Sequence, residues 1–342
     1  MPPALTDRPR PLPLLGADGA LQAEGLSSFR AALLEWAARG LRELPWRRTR
    51  DPWAVVVSEL MLQQTQVSRV VPRWHALCER WPTPAACATA PAAEVLREWA
   101  GLGYNRRALS LHRCANEVVE RHEGRLPADL GALQALSGIG PYTARAVLAF
   151  AFEHDVGVVD TNAARVLARA AAGRALAPAP AQRLADALVP PDRGWVWNSA
   201  MLDLGATTCT ARRPRCGSCP LAHAGACAWH RARHGRPAGA GAGPVAHSGL
   251  DTTLVVTEPA ADPSIGSAGV PARQSAFAGS DRQGRGRLLD ALRAGPVPHV
   301  EVANVCGWPD DHDRGRRVAG AMVREGFAIY ATDSLVLGVP TA

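Results

Sequence analysis

The chain has 342 residues, of which 47% are hydrophobic and 20% charged, a length that suits two domains of unequal size. No apolar run approaches the roughly 18 residues of a membrane-spanning helix, and the first 25 residues lack the features of a secretory signal, so we expect an intracellular protein. The net charge of +7 favours a polyanionic partner, and because all 38 basic residues are arginine, a lysine Schiff base is excluded.

Helical patterns follow one another from residue 27 to about residue 230. Ser28 is predicted to cap the first helix, and Asp51 with Pro52 to open an apolar helix that ends near Gln64. Further helices are predicted near 91–99, 104–122, 129–136 and 141–153. The first part of the chain is therefore predicted to be mainly α-helical.

The C-terminal part changes character. Residues 236–274 are rich in Gly, Ala, Pro and Ser, with one short apolar run at 252–256, which predicts a flexible linker. Helical patterns at 284–294, 300–306 and 312–325 precede a hairpin at 327–339, which predicts a small α+β module of winged-helix type. The predicted organisation is a disordered segment 1–26, a helical domain 27–235, the linker 236–274 and the module 275–342.

Four cysteines lie within nineteen residues, with six, two and seven residues between successive members: Cys209, Cys216, Cys219 and Cys227. Inside a cell such clustering indicates thiolate ligation of a metal rather than disulfides. Spacing alone leaves open whether the metal is a tetrahedral Zn²⁺ or an iron–sulfur cluster. The other four cysteines occur singly in helical patterns and are predicted to be small buried side chains.

The segment 136–144 contains Gly138 and Gly140 followed by Pro141. Glycines permit positive φ and leave N–H groups accessible to a phosphate oxygen, while the proline begins the next helix. Such a turn would hold a DNA backbone without reading sequence; alternatively, it is an ordinary glycine C-cap between two helices.

Two acids stand in different surroundings. Glu59 lies among apolar residues, where burial would raise its pKa and keep it protonated. Asp160 follows two valines and precedes a helical pattern, where an N-cap position would stabilise its ionised form. A protonated donor paired with a carboxylate anion is what cleavage of a glycosidic bond through an oxocarbenium-like transition state requires. For either acid alone, a structural role is the simpler interpretation, with Glu59 satisfying a neighbouring backbone end and Asp160 serving only as a cap.

These features together resemble the adenine DNA glycosylase family of the helix-hairpin-helix glycosylases. The stretches that carry the resemblance occur in the family's order and are 44–47, 58–67, 101–104, 136–144, 159–162 and the cysteine cluster. The resemblance covers roughly residues 27–230. It implies a two-lobed helical glycosylase domain with a [4Fe–4S] cluster at 209–227, and removal of adenine mispaired with 8-oxoguanine or guanine from duplex DNA.

The resemblance also implies roles for single residues. Glu59 would be the general acid, and Asp160 would stabilise the sugar cation with support from Asn162 and Tyr142. Three groups of residues would bind the substrate: Arg42, Trp46 and Arg47 around the flipped adenine, Gln64, Thr65 and Tyr104 around the opposite guanine, and Gln63, Gly138, Gly140 and Thr143 on the DNA backbone.

Three departures from the family pattern stand out. The last cysteine gap is seven residues where five is usual, and Tyr142 occupies the position of the lysine in relatives that also cut the backbone. Residues 275–342 do not resemble the nucleotide-hydrolase-like domain that commonly checks oxidised guanine. Two alternatives remain open at this point: an endonuclease III-like glycosylase for oxidised pyrimidines, and a non-catalytic helix-hairpin-helix DNA-binding protein.

The C-terminal module has two possible roles. Its arginines at 282–293 and 314–317 would form basic faces that hold a duplex, or residues 277–280 would read the oxidised guanine. We further expect a monofunctional and monomeric enzyme that works on DNA in the bacterial cytoplasm and has no membrane partner.

Overall fold

The computed structural model describes residues 14–15, 20–234, 261–267 and 276–338. Two compact units are present, one formed by Met1–Arg42 with Glu153–Pro271, the other by Glu43–Phe152 with Ala272–Ala342. We call them the cysteine unit and the hairpin unit. Within the described residues, no helix is long and apolar enough to cross a membrane.

The hairpin unit begins with seven helices, which are α2 Pro52–Leu62, α3 Val67–Arg80, α4 Pro84–Ala88, α5 Ala92–Glu98, α6 Arg106–His122, α7 Leu130–Gln134 and α8 Pro141–Phe150. The predicted N-cap of α2 is confirmed, because the Asp51 carboxylate accepts hydrogen bonds from the N–H groups of Trp53 and Ala54 at 3.1 and 3.2 Å. Helix α2 is buried along nearly its whole length and packs on α3, α6 and α8. It is the central helix of this part of the unit.

The turn between α7 and α8 uses its two glycines differently. Gly138 has φ +81°, and a Cβ added there would lie 2.7 Å from the Cβ of Ser110. Gly140 has φ −86°, and a Cβ there would meet nothing within 4 Å. The prediction that both glycines provide positive φ is therefore right for Gly138 only, since Gly140 adopts an extended conformation before Pro141.

The hairpin unit ends with the C-terminal module, which contains α14 Asp281–Ala294, α15 Val302–Cys306, α16 His312–Arg324 and strands β1 Val297–Pro298, β2 Ala328–Tyr330 and β3 Ser334–Leu337. The sheet is antiparallel with the order β1-β3-β2, and Leu335 pairs with both Val297 and Tyr330. The predicted three helices and hairpin are confirmed. The two-residue strand β1 was not predicted, since a valine and a proline show no alternation.

The cysteine unit contains α1 Ala23–Ala38, α9 Thr161–Val166, α10 Pro178–Leu188, α11 Gly194–Thr207, α12 Pro220–His223 and α13 Ala228–His234, with a π-helical continuation of α9 over Leu167–Ala172. Its core holds Phe29 against Trp197, with ring centroids 6.2 Å apart. Ser28 lies inside α1, so its predicted capping role is wrong. The helix begins at Ala23, five residues before Ser28, and upstream of it Leu15 pairs with Leu21 and Leu14 is buried.

Part of the predicted linker is structured. Residues 261–267 form a turn whose Asp262 receives two hydrogen bonds from Arg169 and whose Ser267 hydroxyl accepts one from the N–H of Leu176. The Arg169 side chain is only 1% exposed, so this ion pair is shielded from water on one side. The apolar run at 252–256 and most of the segment 1–26 lie outside the described residues.

We predict that Gly138→Ala lowers the thermal unfolding temperature, because a left-handed residue with a side chain costs roughly 1–2 kcal/mol and its Cβ would also press on Ser110. Gly140→Ala is the matched control, because its conformation suits any residue and its surroundings are open. Calorimetry of both variants tests this. Equal unfolding temperatures for the two variants would contradict it.

Candidate active site and cysteine loop

The two predicted catalytic acids belong to different units, so each is described in its own surroundings. Glu59 lies on α2 in the hairpin unit and is 5% exposed. Its neighbours in the helix, Val55, Val56 and Leu60, are buried as well. The apolar setting predicted for this carboxyl is confirmed.

Asp160 is the N-cap residue of α9, as predicted. One carboxylate oxygen accepts hydrogen bonds from the N–H groups of Asn162 and Ala163 at 2.8 and 2.7 Å, and the other accepts one from the Asn162 side chain at 2.8 Å. Asn162 therefore contacts this carboxylate directly, while the catalytic support that the resemblance implies for it stays a prediction.

Burial raises the pKa of Asp160 above its ordinary value, although three hydrogen bonds and the charge of Arg165 act in the opposite direction. The expectation of a stabilised anion is wrong in its net direction, because loss of hydration outweighs the cap. An ionised Asp160 is consequently a poorly solvated charge that is strongly attracted to a positive charge placed beside it.

Arg165 was not predicted and connects this acid to the cysteine loop. Its guanidinium donates to the Asn162 side-chain oxygen at 2.9 Å, to the carbonyl oxygen of Gly205 at 2.7 Å and to that of Cys209 at 2.7 Å. Gly205 permits this close packing, because a Cβ there would lie 2.6 Å from the Asn162 carbonyl oxygen. In the sequence, the only sign of this role of Arg165 was its spacing of three residues from Asn162 on one helix.

Arg42 lies in the cysteine unit and is bound to a second buried acid that the sequence did not reveal. Its backbone N–H and its side chain both donate to the carboxylate of Asp203, which is 1% exposed on α11. The signal for this buried acid in the sequence would have been Asp203 itself, an aspartate inside an apolar helix. Arg42 therefore has a fixed orientation, while its predicted contact with adenine stays a prediction.

Trp46 and Arg47, the other residues predicted near adenine, lie in the hairpin unit within the turn Pro45–Arg47. The Trp46 ring is buried and meets the Trp74 ring edge-on at 6.1 Å. Arg47 is half-buried. Trp46 thus contributes to the core, and any contact of this turn with a base stays a prediction.

The DNA-backbone residues predicted on α2 and α8 are brought together. The Gln63 amide donates to the Thr143 hydroxyl at 3.4 Å. Thr143 is only 2% exposed, so its predicted contact with the DNA backbone stays a prediction. Tyr142 lies beside it and is half-buried.

Gln64 and Tyr104 line one cavity of about 670 Å³ in the hairpin unit, together with Arg107, Phe277 and Arg282. Gln64 is exposed and Tyr104 is 49% exposed. The structure therefore joins two predicted guanine-probing residues to the segment 277–280 of the C-terminal module. Thr65 lies next to them, but its hydroxyl donates to the Leu102 carbonyl oxygen at 3.1 Å and is held within the protein.

The four clustered cysteines line one small cavity with Val166, Arg169 and Trp229. In the described residues, no three His, Cys, Asp or Glu side chains are arranged to hold a single metal ion. The four thiols line this one shared space. Four sulfur donors around a largely apolar space fit an iron–sulfur cluster.

Hydrogen-bond donors face two of these sulfur atoms. The Arg169 guanidinium approaches Cys209 Sγ at 3.6 Å, and the N–H of His230 approaches Cys227 Sγ at 3.5 Å. Arg169 also donates to the carbonyl oxygens of Thr210 and Ala211 at 2.8 and 3.0 Å. Donors of this kind stabilise negative charge on cluster-bound thiolates.

Comparison with known proteins agrees with this geometry. Residues 57–191 match the model of the HhH-GPD superfamily of base excision DNA repair proteins. Residues 209–224 match the iron–sulfur binding domain of endonuclease III, which includes three of the four cysteines, and Cys227 lies just beyond it. The cofactor is therefore a [4Fe–4S] cluster, and the zinc alternative is set aside.

The class is thus a helix-hairpin-helix DNA glycosylase with an iron–sulfur domain. The adenine DNA glycosylase of Mycolicibacterium smegmatis is 43% identical over 305 residues, which cover 88% of this chain and 92% of that protein. The human adenine DNA glycosylase is 42% identical over 57% of this chain and 38% of its own length. The chain belongs to the adenine DNA glycosylase family.

Solved structures support the fold. A thermostable thymine-DNA glycosylase is 26% identical with a TM-score of 0.56, covering 60% of this chain and 97% of its own. An endonuclease III trapped on DNA is 23% identical with a TM-score of 0.54, covering 61% and 96%. The latter similarity concerns the fold alone. The predicted two-lobed helical class is confirmed.

We predict that Asp160→Asn raises the free energy of unfolding at neutral pH. Because burial raises the pKa of Asp160 in the folded state, stability falls as pH rises from the ordinary aspartate pKa to the raised value, and the loss persists above it. The asparagine retains the cap without the charge. The stability advantage of Asp160→Asn over the wild-type protein should shrink as the pH is lowered from the raised pKa to the ordinary aspartate pKa.

Urea unfolding at several pH values measures this effect. Asp129→Asn is the control, since Asp129 is an exposed N-cap residue that accepts a hydrogen bond from Ala132. A neutral-pH gain of equal size in both variants would show that burial of Asp160 is not the cause.

Proposed function

We propose that the protein hydrolyses the N-glycosidic bond of adenine mispaired with 8-oxoguanine or guanine in duplex DNA. The observation that carries the proposal is the pair of differently placed carboxyls, buried Glu59 and capped Asp160, in a member of this family. Membership of the adenine DNA glycosylases disfavours both alternatives, the endonuclease III-like enzyme and the non-catalytic protein.

Glu59 acts as the general acid. Its carboxyl group is buried among apolar side chains, and as an acid it gives its proton to a ring nitrogen of adenine, which makes the base a better leaving group. The carboxylate left behind can then take a proton from the water that attacks the sugar. One residue thus serves as acid and afterwards as base.

Asp160 stabilises the positive charge that develops on the sugar. Its hydrogen bonds to Asn162 and Ala163 fix the carboxylate in position. Since burial raises its pKa, its ionised form gains more from a nearby cation than a hydrated carboxylate would. Asn162 orients this group, and Tyr142 is proposed to contact the substrate from α8.

The reaction ends at an abasic site. Because the sequence has no lysine, no lysine amine can attack the sugar and cut the strand through an imine. The cluster, when bound, supplies iron–thiolate bonds to Cys209, Cys216, Cys219 and Cys227 that hold the loop. Arginines 212, 213 and 215 lie in that loop, where they are proposed to meet DNA phosphates.

The base opposite adenine is proposed to enter the cavity lined by Gln64, Tyr104, Phe277 and Arg282. Phe277 is 57% exposed, and the guanidinium of Arg282 lies 5.9 Å from its ring, so an accessible π-face stands beside a hydrogen-bond donor. Ser280 caps α14 through the N–H of Gln283, which disfavours a direct role for its hydroxyl. Reading by this segment is therefore assigned to Phe277.

The alternative role, in which the arginines of α14 hold phosphates, is weaker. Arg285 forms two hydrogen bonds with Glu325 at 3.0 and 2.7 Å. Arg293 donates to the Leu96 carbonyl oxygen at 3.0 Å and to the Asn105 side chain at 2.7 Å. Arg293 thus attaches the module to α5 and to the start of α6, while Arg285 is paired within the module, so both guanidinium groups are committed to the protein itself.

We predict that Glu59→Gln lowers single-turnover release of adenine by roughly 10²–10⁴-fold, the usual contribution of general acid–base catalysis, while duplex binding is retained. The amide keeps the shape of the side chain but has no acidic proton. Strand breakage after alkali, on a duplex with adenine opposite 8-oxoguanine, measures the release.

The control is Glu79→Gln, since Glu79 is an exposed residue on α3 of the same unit. Excision of adenine by Glu59→Gln at a near wild-type rate would contradict the assignment of Glu59 as the general acid. Breakage without alkali would favour an endonuclease III-like reaction, and absence of breakage by the wild-type protein would favour a non-catalytic one.

We predict that Phe277→Ala reduces the preference for 8-oxoguanine over guanine opposite adenine, because an exposed aromatic surface in the cavity is lost. Val300→Ala is the control, since Val300 is an exposed apolar residue of the same module that lines a different cavity. Rates on the two duplexes give the ratio. An unchanged ratio for the Phe277 variant would leave the module without this role.

A further inference from the structure

We propose that Arg107 is the positioning residue that sets the two loops carrying Gln64 and Tyr104, and through them the preference for the base opposite adenine. The inference rests on the proposed function and deepens it, because it assigns a residue that never needs to touch the base.

Arg107 lies on α6, and its side chain is buried at 8% exposure. The guanidinium makes seven hydrogen bonds, and every acceptor is a neutral oxygen atom. Those at the end of α2 are the carbonyl oxygens of Leu60, Met61 and Gln63, at 2.7, 2.8 and 2.6 Å. Arg107 thereby satisfies carbonyl groups that the helix end leaves without helical partners.

The same guanidinium reaches the second loop. Its other nitrogen atoms donate to the carbonyl oxygens of Leu102, Gly103 and Tyr104 at 3.4, 3.0 and 3.3 Å, and to the Thr65 hydroxyl at 2.9 Å. The Thr65 hydroxyl in turn donates to the Leu102 carbonyl oxygen. One side chain therefore ties the loop after α2 to the loop before α6.

Each loop contains a residue in an unfavourable backbone conformation. Gln64 has φ +56° and Tyr104 has φ +45°, although neither is glycine. Such conformations are energetically unfavourable for residues with a side chain and persist where the surroundings determine them. Hydrogen bonds from Arg107 to Gln63, Thr65 and Tyr104 lie on both sides of Gln64 and at Tyr104 itself, so the arginine holds the conformations that aim these two side chains.

The ring of Tyr104 is also supported directly. The Arg107 guanidinium carbon lies 5.5 Å from the centroid of the Tyr104 ring and 5.4 Å from that of Trp99. Arg107, Gln64 and Tyr104 all line the cavity proposed for the base opposite adenine. A shift of the arginine would therefore move both probing side chains together.

Lysine cannot replace this arrangement. Arginine has five N–H donors in a rigid planar fork, whereas an ammonium group has three around one point. Burial lowers the pKa of Arg107 to about 10, so the fork stays charged at neutral pH. Arg107→Lys would keep the positive charge, but it would lose the simultaneous hydrogen bonding to both loops.

The test compares Arg107→Lys with Arg30→Lys. Arg30 is a matched control in the cysteine unit, where its guanidinium donates to the carbonyl oxygens of Ala187, Leu188 and Val189 at the end of α10. Both variants should unfold at a lower temperature. Only Arg107→Lys should lower the ratio of adenine excision rates opposite 8-oxoguanine and opposite guanine, by roughly tenfold.

A second background shows whether Arg107 acts through the two loops. In a protein that already carries Gln64→Ala and Tyr104→Ala, adding Arg107→Lys should lower stability again but leave the rate ratio unchanged. A further, additive fall of the ratio would overturn the inference. Equal losses of rate on both duplexes with Arg107→Lys, at a constant ratio, would overturn it as well.

Two further measurements keep the outcomes separate. The relative affinities of the two duplexes for Glu59→Gln, with and without Arg107→Lys, report the preference without chemistry. A wild-type protein that excises no adenine would count against the proposed function, whereas an unchanged affinity ratio would count against Arg107. If Arg107→Lys does not fold, Thr65→Val removes one link between the loops and should lower the ratio in the same direction, and an unchanged ratio there would overturn the inference.

Discussion

Buried guanidinium groups that donate to main-chain carbonyl oxygens hold the irregular backbone on which the site residues lie. Helix ends leave carbonyl groups without partners, and in a dry interior each such group costs free energy. Arg107 donates hydrogen bonds to such carbonyl oxygens at the end of α2 and in the loop before α6. Arg165 and Arg169 do so at the cysteine loop, where they donate to carbonyl oxygens between Gly205 and Ala211. Five donors in one plane allow a single side chain to serve two or three segments. The sharp turns that carry Gln64, Tyr104 and the cysteines depend on these contacts.

Burial also sets the chemical character of the acids. An N-cap aspartate on a protein surface is stabilised as an anion, but Asp160 loses enough hydration that its pKa rises in spite of the cap. The hydrogen bonds from Asn162 and Ala163 then serve mainly to fix the position of the group. A fixed and poorly hydrated carboxylate is well suited to stabilising a cation that exists only in the transition state. Arg165 links the support of this carboxylate, through Asn162, to the backbone of Cys209, so cluster loop and acid share one hydrogen-bonded framework.

The C-terminal module belongs to the same compact unit as the helices that carry Glu59 and the glycine turn. Arg106 on α6 and Arg285 on α14 both contact Glu325, and these charges lower the pKa of that carboxyl. Arg293 adds hydrogen bonds to Leu96 and Asn105. Arg293 of α14 therefore serves as an attachment, although the charge pattern of this helix predicted a DNA-binding face. Module residues that include Phe277 and Arg282 form one wall of the cavity shared with Gln64 and Tyr104.

Local patterns in the sequence were sufficient for the helical class, the cap at Asp51, the N-cap position of Asp160, the buried setting of Glu59 and the three helices and hairpin of the module. Each of these depends on residues within a few positions of one another, so periodicity and capping chemistry predict them. Only the tertiary structure decided the net direction of the Asp160 pKa, the partner of Arg42 at Asp203, the link from Asn162 through Arg165 to Cys209 and the grip of Arg107 on two loops. These features depend on desolvation and on contacts between residues far apart in the chain, up to 161 positions for Arg42 and Asp203. Hydration is lost only when the whole fold closes around a group, and no local pattern of residue types records which distant atoms will replace the water.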